Sequence, residues 1–275
     1  MLKRILVGLG GTEYTPTAVR QAIELALAHD AQITGVSVVD TQRLTSMGPL
    51  PLPPTQYGQA VRDVRLTMAR ELVEQAIEHF TEACNQSGVQ YRVLKEEGEP
   101  FSLLTSEARY HDLMVFGLRS LFEYDIVPDP HDALVRLVQA GVRPILAVDR
   151  GYRPVKKVLI AYSGSMESAK AMKRFVQLRL WPEAQLRIVT FEHQVGEAEQ
   201  LIGDAADYCR AHGFEPEVVF VPDAAKQHLL SAAAEWDADL LVVGNSAKNL
   251  LLRRVFGETA LHVIRHTDRP LFLAQ

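Results

Sequence analysis

Residues 3–12 of the chain read KRILVGLGGT, and residues 156–165 read KKVLIAYSGS. Each block is a basic pair, an apolar run of strand length, and a turn rich in Gly, Ser and Thr. Each turn leads into a helical pattern, over 16–28 in one half and 166–178 in the other. Further on, HDLMVFG (111–117) matches ADLLVVG (238–244), and Cys84 and Gly88 echo Cys209 and Gly213. Both halves close on Arg-Pro and an apolar run, at Arg143-Pro144 and Arg269-Pro270. Matches in the same order along the chain make this an internal duplication. The chain must therefore fold as two copies of one supersecondary plan.

The spacing of the repeats locates an insertion. The offset is 153 at the first strand (Lys3 to Lys156) and 127 at the fourth (His111 to Ala238), so the first half carries 26 extra residues. They fall between the second strand and Cys84. A Pro-rich stretch, MGPLPLPPTQYG (47–58), lies there and can continue neither a helix nor a central strand. It is read as a surface insertion, with a lid or partner-docking loop as the alternative, and its prolines with Leu50 and Leu52 make it a candidate contact surface. A long helical pattern follows over 59–86. The Gly/Pro connector around Gly151 and Pro154 sets the expected domains at 1–150 and 151–275, with the insertion near 40–58.

Within each half, strand and helix patterns alternate. Strands are predicted near 4–9, 32–39, 89–95, 112–117 and 144–149, then near 156–162, 185–191, 216–221, 238–243 and 270–274. They are unbroken Val, Ile and Leu runs, as expected of parallel strands covered by helices on both faces. Alternation with connections of this length predicts right-handed crossovers. The expected fold is α/β, two tandem doubly wound parallel five-stranded sheets of Rossmann-like type. Ligands in such sheets bind beyond the carboxyl ends of the strands where strand order reverses, after the first and fourth strands.

Composition excludes several functions. A formal net charge of −5 with no Lys/Arg run argues against nucleic acid as a partner. The longest apolar runs are strand-length, well short of the ~20 residues that span a bilayer. The start, MLKRILVG, passes straight into a strand-like run without a signal-peptide pattern, so a cytoplasmic location is expected. Two cysteines without CxxC or Cys/His spacing make neither a disulfide framework nor a zinc site, and are read as small buried hydrophobes. The nine histidines are scattered. His131, between Asp129 and Asp132, is the one suggestive cluster, and a solvated loop is the simpler reading.

After the fourth strand of the second half come Gly244, Asn245, Ser246 and Ala247, then nine residues, then Gly257, Glu258 and Thr259 opening a helix. A small-residue turn followed by a helix N-terminus gathers backbone N–H groups and positive dipole charge, the physical basis of anion binding. Here the chain resembles the universal stress protein family, of the adenine nucleotide alpha hydrolase-like fold. ATP-binding members of that family carry G-x2-G-x9-G-(S/T) at this place and an aspartate after the first strand. The resemblance covers the whole chain twice. It implies a stress-response protein acting by binding a small ligand, with AMP, ADP or ATP in the second domain. It brings Ser163, Phe191, Val243, Gly244, Ala247, Gly257, Glu258 and Thr259 to that site, Phe191 at the adenine position. It also implies intramolecular pairing of the halves through their last strands, and a homodimer.

The departures from the family pattern are specific. In the second half Ala247 replaces the middle glycine, Glu258 the Ser/Thr and Ser163 the aspartate. A Glu258 carboxylate beside a triphosphate is repulsive and itself suits a helix N-terminus. Arg253 and Arg254 are candidates to offset it. In the first half the register gives Gly117 and Ser120, then Pro130 and Asp132, and Gly10 in place of the aspartate. Pro130 has no N–H to offer a phosphate, so no cofactor is expected there.

Two other readings stay open. Glycines in these turns can serve tight strand-to-helix connections alone, leaving an interaction or scaffold module without nucleotide. The run SGSMES (163–168) is similar to the SGGxDS loop of ATP pyrophosphatases, an enzyme reading weakened by its Ser and Glu replacements. No paired catalytic carboxylates or activated nucleophile support it elsewhere, and no catalytic or metal-ligating residues are assigned.

Overall fold

The computed structural model describes residues 2–39, 56–119, 134, 137, 138, 142, 144–191, 195–244 and 258–274. The chain forms two compact units, Lys3–Val142 and Arg143–Gln275, the second with Met1–Leu2. The first contains β1 (Arg4–Gly8), α1 (Thr15–His29), β2 (Gln32–Val39), α2 (Gln56–Ser87), β3 (Tyr91–Glu97), α3 (Pro100–Ala108) and β4 (Leu113–Gly117). Its strands lie in the order β3-β2-β1-β4, all parallel. The second contains β5 (Ile145–Val148), β6 (Lys157–Ala161), α4 (Met166–Leu178), β7 (Gln185–Phe191), α5 (Val195–Ala211), β8 (Glu217–Val221), α6 (Ala225–Glu235), β9 (Leu240–Gly244), α7 (Glu258–His266) and β10 (Leu271–Ala274). Its order is β5-β10-β9-β6-β7-β8.

The α/β fold read from the apolar runs is the observed one. β1 stands between β2 and β4, and β6 between β7 and β9, so strand order reverses at the first strand of each repeat. One strand departs from the strictly parallel arrangement. β5, the run expected to end the first half's sheet, pairs antiparallel with β10, Leu146 opposite Phe272. Each repeat ends in a short apolar strand that would otherwise present a bare edge, and pairing the two removes it. All four residues of each are buried.

The repeat extends to hydrogen bonds. The Asp112 carboxylate accepts from the Lys3 and Arg4 N–H groups at 2.8 and 3.0 Å, holding the start of β1 beside β4. Asp239 does the same for Lys156 and Lys157 of β6, both at 2.9 Å. This explains why both blocks carry Asp just before an apolar run. Cys84 and Cys209 occupy the same buried place before a left-handed glycine, and their carbonyls accept from Val89 and Phe214 N–H. Burial pushes the Cys84 thiol up to about 12 and Cys209 to about 11, so both stay protonated and unreactive. Among the described residues, no helix is long and apolar enough to cross a membrane.

Candidate functional site

The turn after β6 is built from hydroxyls. Gly164 takes a left-handed conformation (φ +69°), which turns the chain sharply into α4. Ser165 caps that helix, its Oγ accepting from the Ser168 N–H at 3.2 Å. The oxygens of Ser163, Ser165 and Ser168 lie 3.1, 3.2 and 3.4 Å from one another, and Ser163 N–H donates to Ser168 Oγ at 3.3 Å. Ser163 is exposed, Ser165 half-buried and Ser168 buried. This places small neutral hydrogen-bonding groups at position 163, where the family pattern has an aspartate carboxylate.

The neighbouring strand ends complete the edge. Phe191 ends β7 half-buried, while Thr190 behind it donates its hydroxyl to the Tyr162 carbonyl. Tyr162 is half-buried too, and its phenol is held above its ordinary range by burial, then by Asp204 and Cys209. Val243 is buried at the end of β9, and Gly244 follows it. A Cβ on Gly244 would stand 2.5 Å from Ser168 N and 2.6 Å from its Cα. The glycine is thus required where the first turn of α4 crosses β9.

Glu258 and Thr259 open α7, with Glu258 exposed. Lys226, from the first turn of α6, reaches the Glu258 Oε2 at 3.1 Å. An exposed pair of this kind contributes about 0–1 kcal/mol, and it gives the Glu258 carboxylate a cation besides the candidates Arg253 and Arg254. Nothing in the spacing signals Lys226, which lies 32 residues away. Ala247, Gly257, Arg253 and Arg254 lie outside the described residues, as do Ser120, Pro130, the cluster at 129–132 and residues 47–55. Structure therefore brings Ser163, Phe191, Val243 and Gly244 to the adjacent carboxyl ends of β6, β7 and β9.

The same edge of the first unit is covered. Its α2 is 32 residues long against 17 for α5, because the inserted residues extend it past the end of the sheet. Ala69 and Val73 of α2 are buried on Val39 at the end of β2. Gly11, the counterpart of Gly164, has φ +67°, and a Cβ there would meet the Leu72 carbonyl oxygen at 2.9 Å. At Gly164 the corresponding neighbour is only the side-chain end of Leu201.

The profile of the universal stress protein family matches residues 1–124 and 187–275, most of the chain and both repeats. The chain belongs to the universal stress protein family. Universal stress protein Slr1230 of Synechocystis sp. (PCC 6803) is 26% identical over 138 residues, 50% of this chain and 48% of that protein. The chain thus spans about half the length of that curated relative. A universal stress protein from Archaeoglobus fulgidus DSM 4304 superposes with a TM-score of 0.66 at 15% identity, covering 99% of this chain and 96% of that one. Protein PA1789 of Pseudomonas aeruginosa PAO1 gives 0.62 at 13%, covering 99% and 92%. At these identities the structural likeness is one of fold.

Proposed function

We propose that this universal stress protein acts by binding a small ligand in its second unit, an adenine nucleotide held weakly, with AMP or ADP preferred to ATP. The first unit binds none in this reading. What carries it is the contrast between the two carboxyl edges. In the first, α2 backbone stands on the turn after β1 and covers Val39. In the second, a hydroxyl-lined turn lies at the matching place, and Phe191, whose register counterpart is the buried Val38, is only half-buried. Nucleotide chemistry enters through the family resemblance, and the preference through Glu258: its charge opposes each added phosphate, with Lys226 offsetting only part of it.

Isothermal titration of the full chain is expected to give tighter binding of AMP and ADP than of ATP. Glu258→Ser is expected to strengthen ATP binding about tenfold, which corresponds to ~1.4 kcal/mol. An unchanged ATP affinity in that variant would remove Glu258 from the phosphates, and tight ATP binding with hydrolysis would overturn the whole reading. A second reading, an interaction module, is favoured by Val64, Met68 and Leu72, exposed at 57, 58 and 38% along one side of α2. Absence of heat with every nucleotide favours it. In either case we expect a homodimer, and a light-scattering mass near one chain contradicts that.

A further inference from the structure

We propose that His262 and His266 of α7 form a two-histidine chelate for a borderline divalent transition metal such as Ni2+ or Zn2+, with water completing the coordination. HVIRH (262–266) puts two imidazoles four residues apart, on one helix face. Their ring centroids are 4.3 Å apart with planes 28° from parallel. The planes are close to parallel, so holding one ion requires the rings to unstack and turn their in-plane lone pairs to converge within the about 2.0–2.1 Å of a metal–nitrogen bond. His266 donates its Nδ1–H to the His262 carbonyl at 2.8 Å. That bond fixes the tautomer and leaves Nε2 as a lone pair, the orienting contact expected of a ligating histidine.

Both rings stand in the second half of α7, where the partial negative charge of the C-terminal carbonyls favours a cation. Glu258, one turn before His262, is engaged by Lys226, and Arg265 lies between the ligands in sequence. Among the described residues no group of three or more His, Cys, Asp or Glu is placed to hold a metal. Counting the described residues alone, the site is two-coordinate from protein and of modest affinity. The buried thiols, pushed up in pKa, do not compete.

The molecule holds its own control. Tyr208 and His212 of the α5 terminus repeat the arrangement, with ring centroids 4.3 Å apart at 30° and His212 Nδ1 on the Tyr208 carbonyl at 2.9 Å. His262→Tyr thus keeps the stack and the tautomer-fixing bond while deleting one ligand. Titration of the full chain with NiCl2 at pH 7.5 in a non-coordinating buffer is expected to show a site that weakens at least tenfold in His262→Tyr and in His266→Ala. Both variants should keep the wild-type circular dichroism and melting midpoint without metal. Wild-type affinity in either variant overturns the proposal, as does the lack of any site sensitive to both.

Discussion

Gly244→Ala is expected to destabilise the second unit by about 3 kcal/mol, within the range for overpacking a filled site. Its added methyl would stand 2.5 Å from Ser168 N, 2.6 Å from Ser168 Cα and 2.7 Å from Glu167 C. All three are backbone atoms of the α4 first turn, so no rotamer change relieves the contact. Either α4 lifts from the end of β9 or the β9 backbone moves. Lifting α4 also disturbs the Ser165 cap and the three-hydroxyl turn, so ligand binding should fall together with stability. Pulsed thiol labelling read by mass spectrometry separates the units: Cys209 reports the second and Cys84 the first, both fully buried. The expected outcome is faster labelling of Cys209 with Cys84 unchanged, and a melting transition lower by roughly 10 °C. A variant with wild-type Cys209 protection and lost ligand binding would show that Gly244 serves the ligand rather than the packing.

That residue shows where reading the sequence stops. A glycine after a buried strand fits a phosphate turn and a close helix crossing equally well, and only the position of α4 distinguishes them. The strands were legible because parallel strands covered on both faces must be continuous apolar runs, whatever their neighbours. α4 was legible over Met166–Leu178 because its apolar face repeats at the helical period. Contacts between distant segments left no such local mark. The antiparallel seat of β5 on β10 depends on two edges meeting, which neither strand encodes alone. Lys226 meets Glu258 from a different helix. The burial of the first unit's edge depends on where the extended α2 runs, and the insertion length reveals only that residues are present.

The same logic separates the two edges. Duplication preserved a left-handed glycine in the turns after β1 and β6, Gly11 and Gly164. What differs is the neighbour: helix backbone at Gly11, a flexible leucine end at Gly164. Backbone in a packed helix cannot withdraw without breaking its own hydrogen bonds, whereas a leucine can change rotamer. Retention of the turn in the first unit therefore reflects its structural job, the entry into α1.

The first unit is expected to lose stability in mild acid through His111, a residue the duplication does not share. Its imidazole is fully buried, and the carbonyl of Glu107 accepts from Nδ1 at 2.7 Å. Nε2 is then an acceptor, 2.9 Å from the Thr34 hydroxyl, which in turn accepts from the Arg92 Nε–H at 2.9 Å. The chain of donors is complete only with a neutral ring. Burial is the main force lowering the His111 pKa; Arg4 of β1 and Arg92 of β3 add to it, while the Glu107 carbonyl and carboxylate of α3 oppose it. With a folded pKa below the unfolded value of 6.5, the unfolded chain binds more protons. This contribution is full above pH 6.5 and is lost as pH falls from there towards the lowered folded pKa. In the second unit the matching register pair is Arg187 and Glu217, bonded at 2.7 Å, and Ala238 stands where His111 would be. Cys84 labelling, taken as a ratio to Cys209 at each pH, should therefore rise between pH 7.5 and 5.5. His111→Ala imports the second unit's residue without its ion pair. It should cost about 2–3 kcal/mol from the cavity and the stranded Thr34 hydroxyl, and should flatten the ratio over that range. A ratio that still rises with acid in His111→Ala would assign the acid response to another group.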